Sequence, residues 1–480
     1  IGPGTAVILT DPAVVKELLD RRGVDIADRP PMHIDEIVSR GLNVALAGYG
    51  LGHWAYTSGK RNVGLTADAI LTPQASARHL LIQQAEAIQL LHDILVCPES
   101  FYTHVQCYSS SVVLSVIHGK RTSRAETPET TAIFNYQNEL ERIFEPGATP
   151  PVDMIPILKL IPERWAKWKR ERRRIRNIQC ALYLGLLDGM RDRICNGEAN
   201  GSYMEQVLLR QEELGLNGEM TAYLSRTLIN AGSETTASYL HFLFLALLAY
   251  PDAQRKAHEE IDRVVGQHCM PTLDDLVRLP YICAMILEVH AADTHALVVD
   301  PTSIKTHRFR PVVRLLVPHA ALASVEYQGY IIPKGATVFV NAWGIFHDPA
   351  LYENLDQYLL THNGTKPGVV CPDLRPNFVF GLGRRSCPGI HLAQNSININ
   401  ATNLVWAFDF TTELDDASNP IEGITTGPPP FRCRLTPCTL EKAKIISREF
   451  LEAGDIFAKF EFGFNAEDKE YLSQSLAHVH

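Results

Sequence analysis

The ten residues Phe380-Gly381-Leu382-Gly383-Arg384-Arg385-Ser386-Cys387-Pro388-Gly389 set one cysteine between a glycine-rich loop and the start of a helix. Pro388 suits the first helical position, where a missing N–H leaves nothing unsatisfied. Ile390, Leu392 and Ala393 follow as apolar helix formers. A cysteine at a helix N-terminus, with Arg384 and Arg385 beside it, is expected to be held as thiolate. Gly381, Gly383 and Gly389 permit positive φ and let the backbone approach a flat ligand closely. A thiolate in such a loop is one of the few axial ligands that proteins offer to haem iron. On these residues alone the other reading stays open: a structural thiol beside a solvated arginine pair.

A second segment carries chemistry-bearing side chains in an unusual place. Leu216 to Tyr250 has the pattern of a long helix ended by Pro251. Inside it sits Ala231-Gly232-Ser233-Glu234-Thr235-Thr236. Paired threonines are unfavourable in mid-helix, and Gly232 removes a side chain where something presses on the backbone. Taken alone, the segment reads as a packing glycine with Ser and Thr hydroxyls bonded back to carbonyls.

The cysteine loop fits F-x-x-G-x-R-x-C-x-G without a gap and so resembles the haem-binding signature of the cytochrome P-450 superfamily. The helical segment resembles that family's oxygen-activating helix, A-G-x-D/E-T-T. The resemblance runs from Ile1 to about Phe460, and its details are most similar to fungal microsomal members, O-methylsterigmatocystin oxidoreductases among them. It implies haem b with an axial thiolate from Cys387, and cofactor contacts from Phe380, Gly381, Gly383, Arg385, Gly389 and Ala231. Arg385 is expected to bond a haem propionate, with Trp54, Arg61 and His319 as further candidates. Thr235 is expected to hold dioxygen and an ordered water while Glu234 relays protons. The thiolate pushes electron density through iron, and the protein adds the proton path and a dry pocket. The implied reaction inserts one oxygen atom from O2 into a small apolar substrate, with electrons from an NADPH-cytochrome P-450 reductase. Two other readings remain open: a haem-thiolate isomerase or dehydratase, against which Thr235 and Glu234 argue, and a non-catalytic haem-binding product.

The chain departs from the family pattern in three places. The helix around Leu279 to Val289 resembles the one bearing E-x-x-R, but Ala291 stands where Arg is expected after Glu288. Removing Ala291 through His307 would join Glu288-Val289-His290 to Arg308 and restore the motif, so 291–307 is read as an insertion and Glu288–Arg308 as the structural ion pair. In Leu355-Asp356-Gln357-Tyr358 the residue at the family's arginine position is Gln357. Trp54 is followed by Ser58 at the position of another arginine, with Lys60 and Arg61 further on.

Length and composition set the frame for these motifs. The 480 residues contain no linker, low-complexity stretch or internal repeat, so residues 1–480 are expected to form a single haem domain. Hydrophobic residues at 46% supply one large core, and a net charge of −9 argues against a nucleic-acid partner. The ten cysteines include no C-x-x-C pair, which suits reduced, buried thiols facing the cytosol better than disulfides or zinc. The expected architecture is mainly α, with a small β-sheet built from a strand at Thr5–Thr10 and residues 310–340. The basic run Lys167 to Arg176 reads as the solvated face of a helix. No apolar run reaches 18 residues, and the richest, Phe242 to Tyr250, is too short to cross a bilayer. The family resemblance implies the cytosolic face of the endoplasmic reticulum membrane, through an anchor and proline-rich hinge that would precede Ile1.

Overall fold

A computed structural model describes residues 4–49, 71–124, 126–144, 148–153, 155–289, 311–352, 378–411, 431–461, 464 and 466–477. Trp54, Arg61, Arg308 and Gln357 lie outside these, as does the side chain of Glu288. Among the described residues ten longer helices carry the fold: α1 (Leu80–Val96), α2 (Phe101–His118), α3 (Pro128–Phe144), α4 (Lys167–Cys195), α5 (Gly218–Ala249), α6 (Pro251–Val264), α7 (Pro280–Val289), α8 (Ile390–Ala407), α9 (Leu440–Glu452) and α10 (Ala466–Ala477). The seven strands among the described residues are short: β1 (Ala6–Leu9), β2 (His319–Ala320), β3 (Val325–Tyr327), β4 (Tyr330–Ile332), β5 (Thr337–Val340), β6 (Phe408–Thr411) and β7 (Arg434–Pro437). As expected, the architecture is mainly α, and its three-stranded sheet joins the N-terminal segment to 310–340. There β5 is central, parallel to β1 with Val7 opposite Val338, and antiparallel to β2 with His319 opposite Val338.

The helix α5 is the axis of the molecule. Asn217 caps it, its side-chain oxygen accepting from the Met220 N–H at 2.8 Å. Its last turn stops before Pro251, which opens α6, because proline cannot continue the hydrogen-bond ladder. Leu240, Leu243, Phe244 and Leu247 are fully buried on it and meet Phe101 of α2 and Phe410 of β6 in the main core. Gly232 lets α5 and α2 approach: a Cβ there would come within 2.8 Å of Val113 Cγ2. The packing reading of that glycine is therefore correct.

The basic run on α4 differs from the expected solvated face. Arg172 and Arg176 are buried, the first donating to the Trp168 carbonyl at 2.9 Å and the second paired with Glu219 of α5. Arg173 and Arg174 do face solvent, paired with Glu163 and Glu139. A period of 3.6 residues turns every third or fourth arginine inward, and the long aliphatic stem lets it fill core space. The cysteines also correct the sequence reading. Of those described, Cys107 and Cys433 are buried while Cys195, Cys269 and Cys387 are exposed.

Candidate haem site

The cysteine loop is built from backbone constraints. Gly381 and Gly383 adopt φ of +82° and +60°, a region that costs other residues strain. A Cβ at Gly383 would also run into the Leu19 carbonyl, while the Gly383 N–H donates to Asp20 Oδ1 at 2.9 Å. The Cys387 N–H donates to the Phe380 carbonyl at 2.6 Å, closing the loop on itself and fixing the backbone that carries the sulfur. The helix begins later than Pro388: Gly389 caps α8, whose first residue is Ile390.

The expected thiolate needs revision in its cause. Arg384 donates to the Tyr49 hydroxyl at 3.3 Å, and Arg385 donates to the Ala27 and Ala47 carbonyls at 2.9 and 2.8 Å. Burial pushes the Cys387 thiol up, and the Gly389 N–H only partly offsets it. The arginine pair therefore braces the loop, and a ligated cation must hold the thiolate. Cys387 combines two properties that seldom coincide: its surface is accessible, yet enough protein surrounds it to desolvate the thiol. A side chain lining an internal concavity has this character.

The helix α5 supplies a matching face. Ala231 is exposed in the middle of an otherwise buried helix, and Thr227, Leu228, Glu234 and Thr235 are partly accessible beside it. Thr227, Ala231 and Thr235 are spaced four apart and form one stripe. The Thr235 hydroxyl donates to the Ala231 carbonyl at 2.7 Å and Ser233 to Ile229 at 2.7 Å, so the back-bonded reading holds. That bond uses the donor of Thr235 and leaves its oxygen lone pairs turned from the helix backbone. The helices α5 and α8 pack on each other, which puts the stripe and the loop on elements of one core.

A cationic group stands on the sheet side. His319 is buried, with Nδ1 2.9 Å from the Ile26 carbonyl, and burial followed by the Arg29 charge lowers its pKa to about 3. The Arg385 charge acts in the same direction and is part of that shift. A neutral imidazole donating through Nδ1 has only an acceptor at Nε2, so His319 can donate to a carboxylate there only once protonated. Arg29 is the residue that sequence reasoning missed. It is buried, and its guanidinium donates to Ala45, Val317 and Pro318 carbonyls at 2.9, 2.9 and 2.8 Å. No local pattern marks it, because its partners lie 16 to 289 residues away. A cleft of about 210 Å3 lined by Arg142, Ile143, Glu171 and Arg174 shares no residue with the loop or the stripe.

A haem fits these residues: a desolvated but accessible sulfur, a glycine loop, an accessible stripe on a helix packed against α8, and the Arg29 and Arg385 guanidiniums for carboxylates. The comparisons with known proteins agree. A cytochrome P-450 family profile matches residues 1–290 and 303–435. A cytochrome P-450 monooxygenase of Armillaria gallica is 35% identical over 474 residues, covering 96% of this chain and 86% of the relative. The cytochrome P-450 monooxygenase yanC of Aspergillus niger is 31% identical, covering 94% and 85%. The fold is similar to that of a zebrafish cytochrome P-450 determined with progesterone, with a TM-score of 0.71 and 21% identity over 91% of this chain and 95% of that one. The chain belongs to the cytochrome P-450 family. It is a monooxygenase whose cofactor is a haem with a cysteine thiolate ligand.

Proposed function

We propose that the chain inserts one oxygen atom from O2 into a small apolar substrate, with haem b ligated by Cys387 and electrons from an NADPH-dependent reductase. The observation that carries the assignment is the accessible, desolvated thiol of Cys387 on a loop whose backbone is held by its glycines and the Cys387–Phe380 bond. The bound haem supplies dioxygen activation. Thr235 keeps a lone-pair face towards the reacting side and orients a water there, and Glu234 passes protons to that water. Leu228 and Ala231 line the same face with apolar surface and exclude bulk solvent. Arg29 and Arg385 neutralise the haem carboxylates, and His319 joins them when protonated. The residues 1–480 form one haem domain, with Glu288 and Arg308 as its ion pair. The break in the family match at 291–302 supports an insertion within 291–307. The test is the reduced carbon monoxide spectrum. Cys387→Ala should abolish the red-shifted Soret band of thiolate ligation while Cys438→Ser keeps it; the reverse result overturns the assignment.

The proposed site of action is a membrane surface, in keeping with the endoplasmic reticulum location that the family resemblance implies. Among the described residues no helix is long and apolar enough to cross a membrane. However, Ile155, Ile157, Leu160 and Trp165 are 46%, 71%, 78% and 70% exposed in one short stretch before α4. Lys159, Arg164 and Lys167 alternate with them, and Arg164 lies over the Trp165 ring at 4.4 Å. Apolar side chains ringed by cations suit the interface of an anionic bilayer. Flotation with anionic vesicles should therefore carry this chain, and Leu160→Asp with Trp165→Ala should release it.

A further inference from the structure

The two-stranded β6–β7 sheet and the helix α6 lying over it assemble a group of donors that the haem reaction does not use. Strands β6 and β7 pair antiparallel, with Asp409 opposite Thr436 and Phe408 opposite Pro437. The Cys438 N–H continues the ladder to the Ala407 carbonyl at 2.9 Å. Opposed residues share a sheet face and the side-chain period is two, so Asp409 and Cys438 come to the same face while Phe408 and Phe410 enter the core. The helix α6 crosses that sheet in a fixed register. Gln254 clasps both the N–H and the carbonyl of Phe410, at 2.7 and 3.0 Å. One turn on, His258 meets Asp409, and one turn beyond that Asp262 meets Lys442 at 2.8 Å.

One ring nitrogen of His258, a carboxylate oxygen of Asp409 and the Cys438 sulfur all lie within 4.8 Å of one another. The His258 Nδ1 to Asp409 Oδ1 distance is 3.4 Å, longer than the usual N–H···O bond of about 2.7–3.2 Å. It is close to the separation of about 3.3 Å between two ligands of a tetrahedral zinc, given bonds near 2.0–2.2 Å. The Phe408 backbone hydrogen-bonds the imidazole and holds the ring beside the carboxylate and the thiol.

We propose that His258, Asp409 and Cys438 bind a divalent ion of the zinc class, separate from the haem iron, with water in the fourth position. The N, O and S donor set is that of zinc rather than of magnesium or calcium, which take oxygen alone. Charge balances in the bound state. Asp262, Asp409 and the Cys438 thiolate carry three negative charges and Lys442 one positive, leaving two for the dication. On binding, the sulfur–metal bond replaces the S–H bond, the proton passes to solvent, and nothing is oxidised. All three residues are partly accessible, so an ion can enter. The bound ion would tie α6 to the C-terminal strand and to α9, which starts at the Thr439 cap directly after Cys438.

The test uses the haem-loaded full chain, washed with chelator, given zinc alone and desalted before elemental analysis. The wild type should retain a single equivalent of zinc beside its iron. His258→Ala and Cys438→Ser should drop retained zinc to background with iron unchanged, and Asp409→Asn should lower it partially. No zinc on the wild type, or equal zinc on all four proteins, overturns the site. A second readout does not depend on the folding of any variant. Zinc should slow alkylation of Cys438 in the wild type by roughly tenfold, because the metal-bound sulfur is withdrawn from attack; an unchanged rate also overturns the proposal.

Discussion

Cys387 and Cys438 are the same residue in two settings, and the difference lies in what surrounds each sulfur. Burial raises both thiols, Cys438 to about 12 with help from the Asp409 charge. Around Cys438 the chain brings an imidazole, a carboxylate and an ammonium, so the protein itself supplies several donors to a small ion. Around Cys387 it brings glycines, backbone carbonyls and two braced guanidiniums, and among the described residues no second metal-ligating side chain joins the sulfur. A lone sulfur in an accessible concavity suits a metal that arrives with its other ligands already in a flat ring. A sulfur within a triad suits an ion that arrives bare. Cysteine chemistry in this fold is set by the number of neighbouring donors.

The sharpest way to break this comparison is a double dissociation. Cys387→Ala should lose the thiolate band entirely while retaining zinc, and Cys438→Ser should lose zinc while retaining the band. Loss of both properties in either variant would mean that the two regions are one cooperative unit. The next largest effect tests the accessible stripe of α5. Thr235→Ala should keep haem and the band but divert NADPH electrons into peroxide and water severalfold, measured as product formed per NADPH consumed. Unchanged coupling would leave Thr235 with only its bond to the Ala231 carbonyl.

The parts of this site that were legible in the sequence are the local ones. The cysteine loop and the Ala231–Thr236 segment announce themselves because their glycines, arginine and hydroxyls are fixed within ten and six consecutive residues. The long helix and a small sheet joining the N-terminal segment to residues 310–340 followed from apolar pattern and from the family resemblance, whereas the register of residues 6–9 on 337–340 did not. Arg29 and the His258–Asp409–Cys438 triad were not legible, since their partners are brought together only by folding. The direction of the arginines beside Cys387 was misjudged for a related reason. Adjacency in sequence suggested that they serve the sulfur, whereas a buried guanidinium is satisfied by whichever carbonyls the fold presents, here Ala27 and Ala47.

A smaller effect separates the two regions by pH. His319 titrates near 3 in the folded haem-free chain and at about 6.5 when unfolded. Because the unfolded state binds more protons between those values, its contribution to stability is present above about 6.5 and is lost as the pH falls. By pH 5 the loss is about 2 kcal/mol. Thermal melts of the haem-free chain should show this decline, and His319→Gln should flatten it. An equal slope in both proteins would place the acid sensitivity elsewhere, with His258 the next candidate because burial lowers it too.

The smallest predicted effect tests whether packing beside the stripe reaches the haem side alone. In Gly232→Ala the new Cβ would sit 2.8 Å from Val113 Cγ2, and valine in a helix has almost no alternative rotamer to yield. Overpacking of this kind costs about 1–3 kcal/mol. Replacing glycine by alanine in mid-helix returns about 0.5–1 kcal/mol. The net should be a loss of about 1 kcal/mol, read as a lower melting temperature, with α5 displaced from α2. Ala231 and Thr235 flank that glycine on the accessible stripe, so haem retention should fall with it. His258, Asp409 and Cys438 sit on α6, on β6 and directly after β7, where no side chain meets Gly232, and zinc retention should not change. A parallel loss of zinc would show that α5 transmits strain to the far corner of the core, and the two cysteine environments would then have to be treated as coupled.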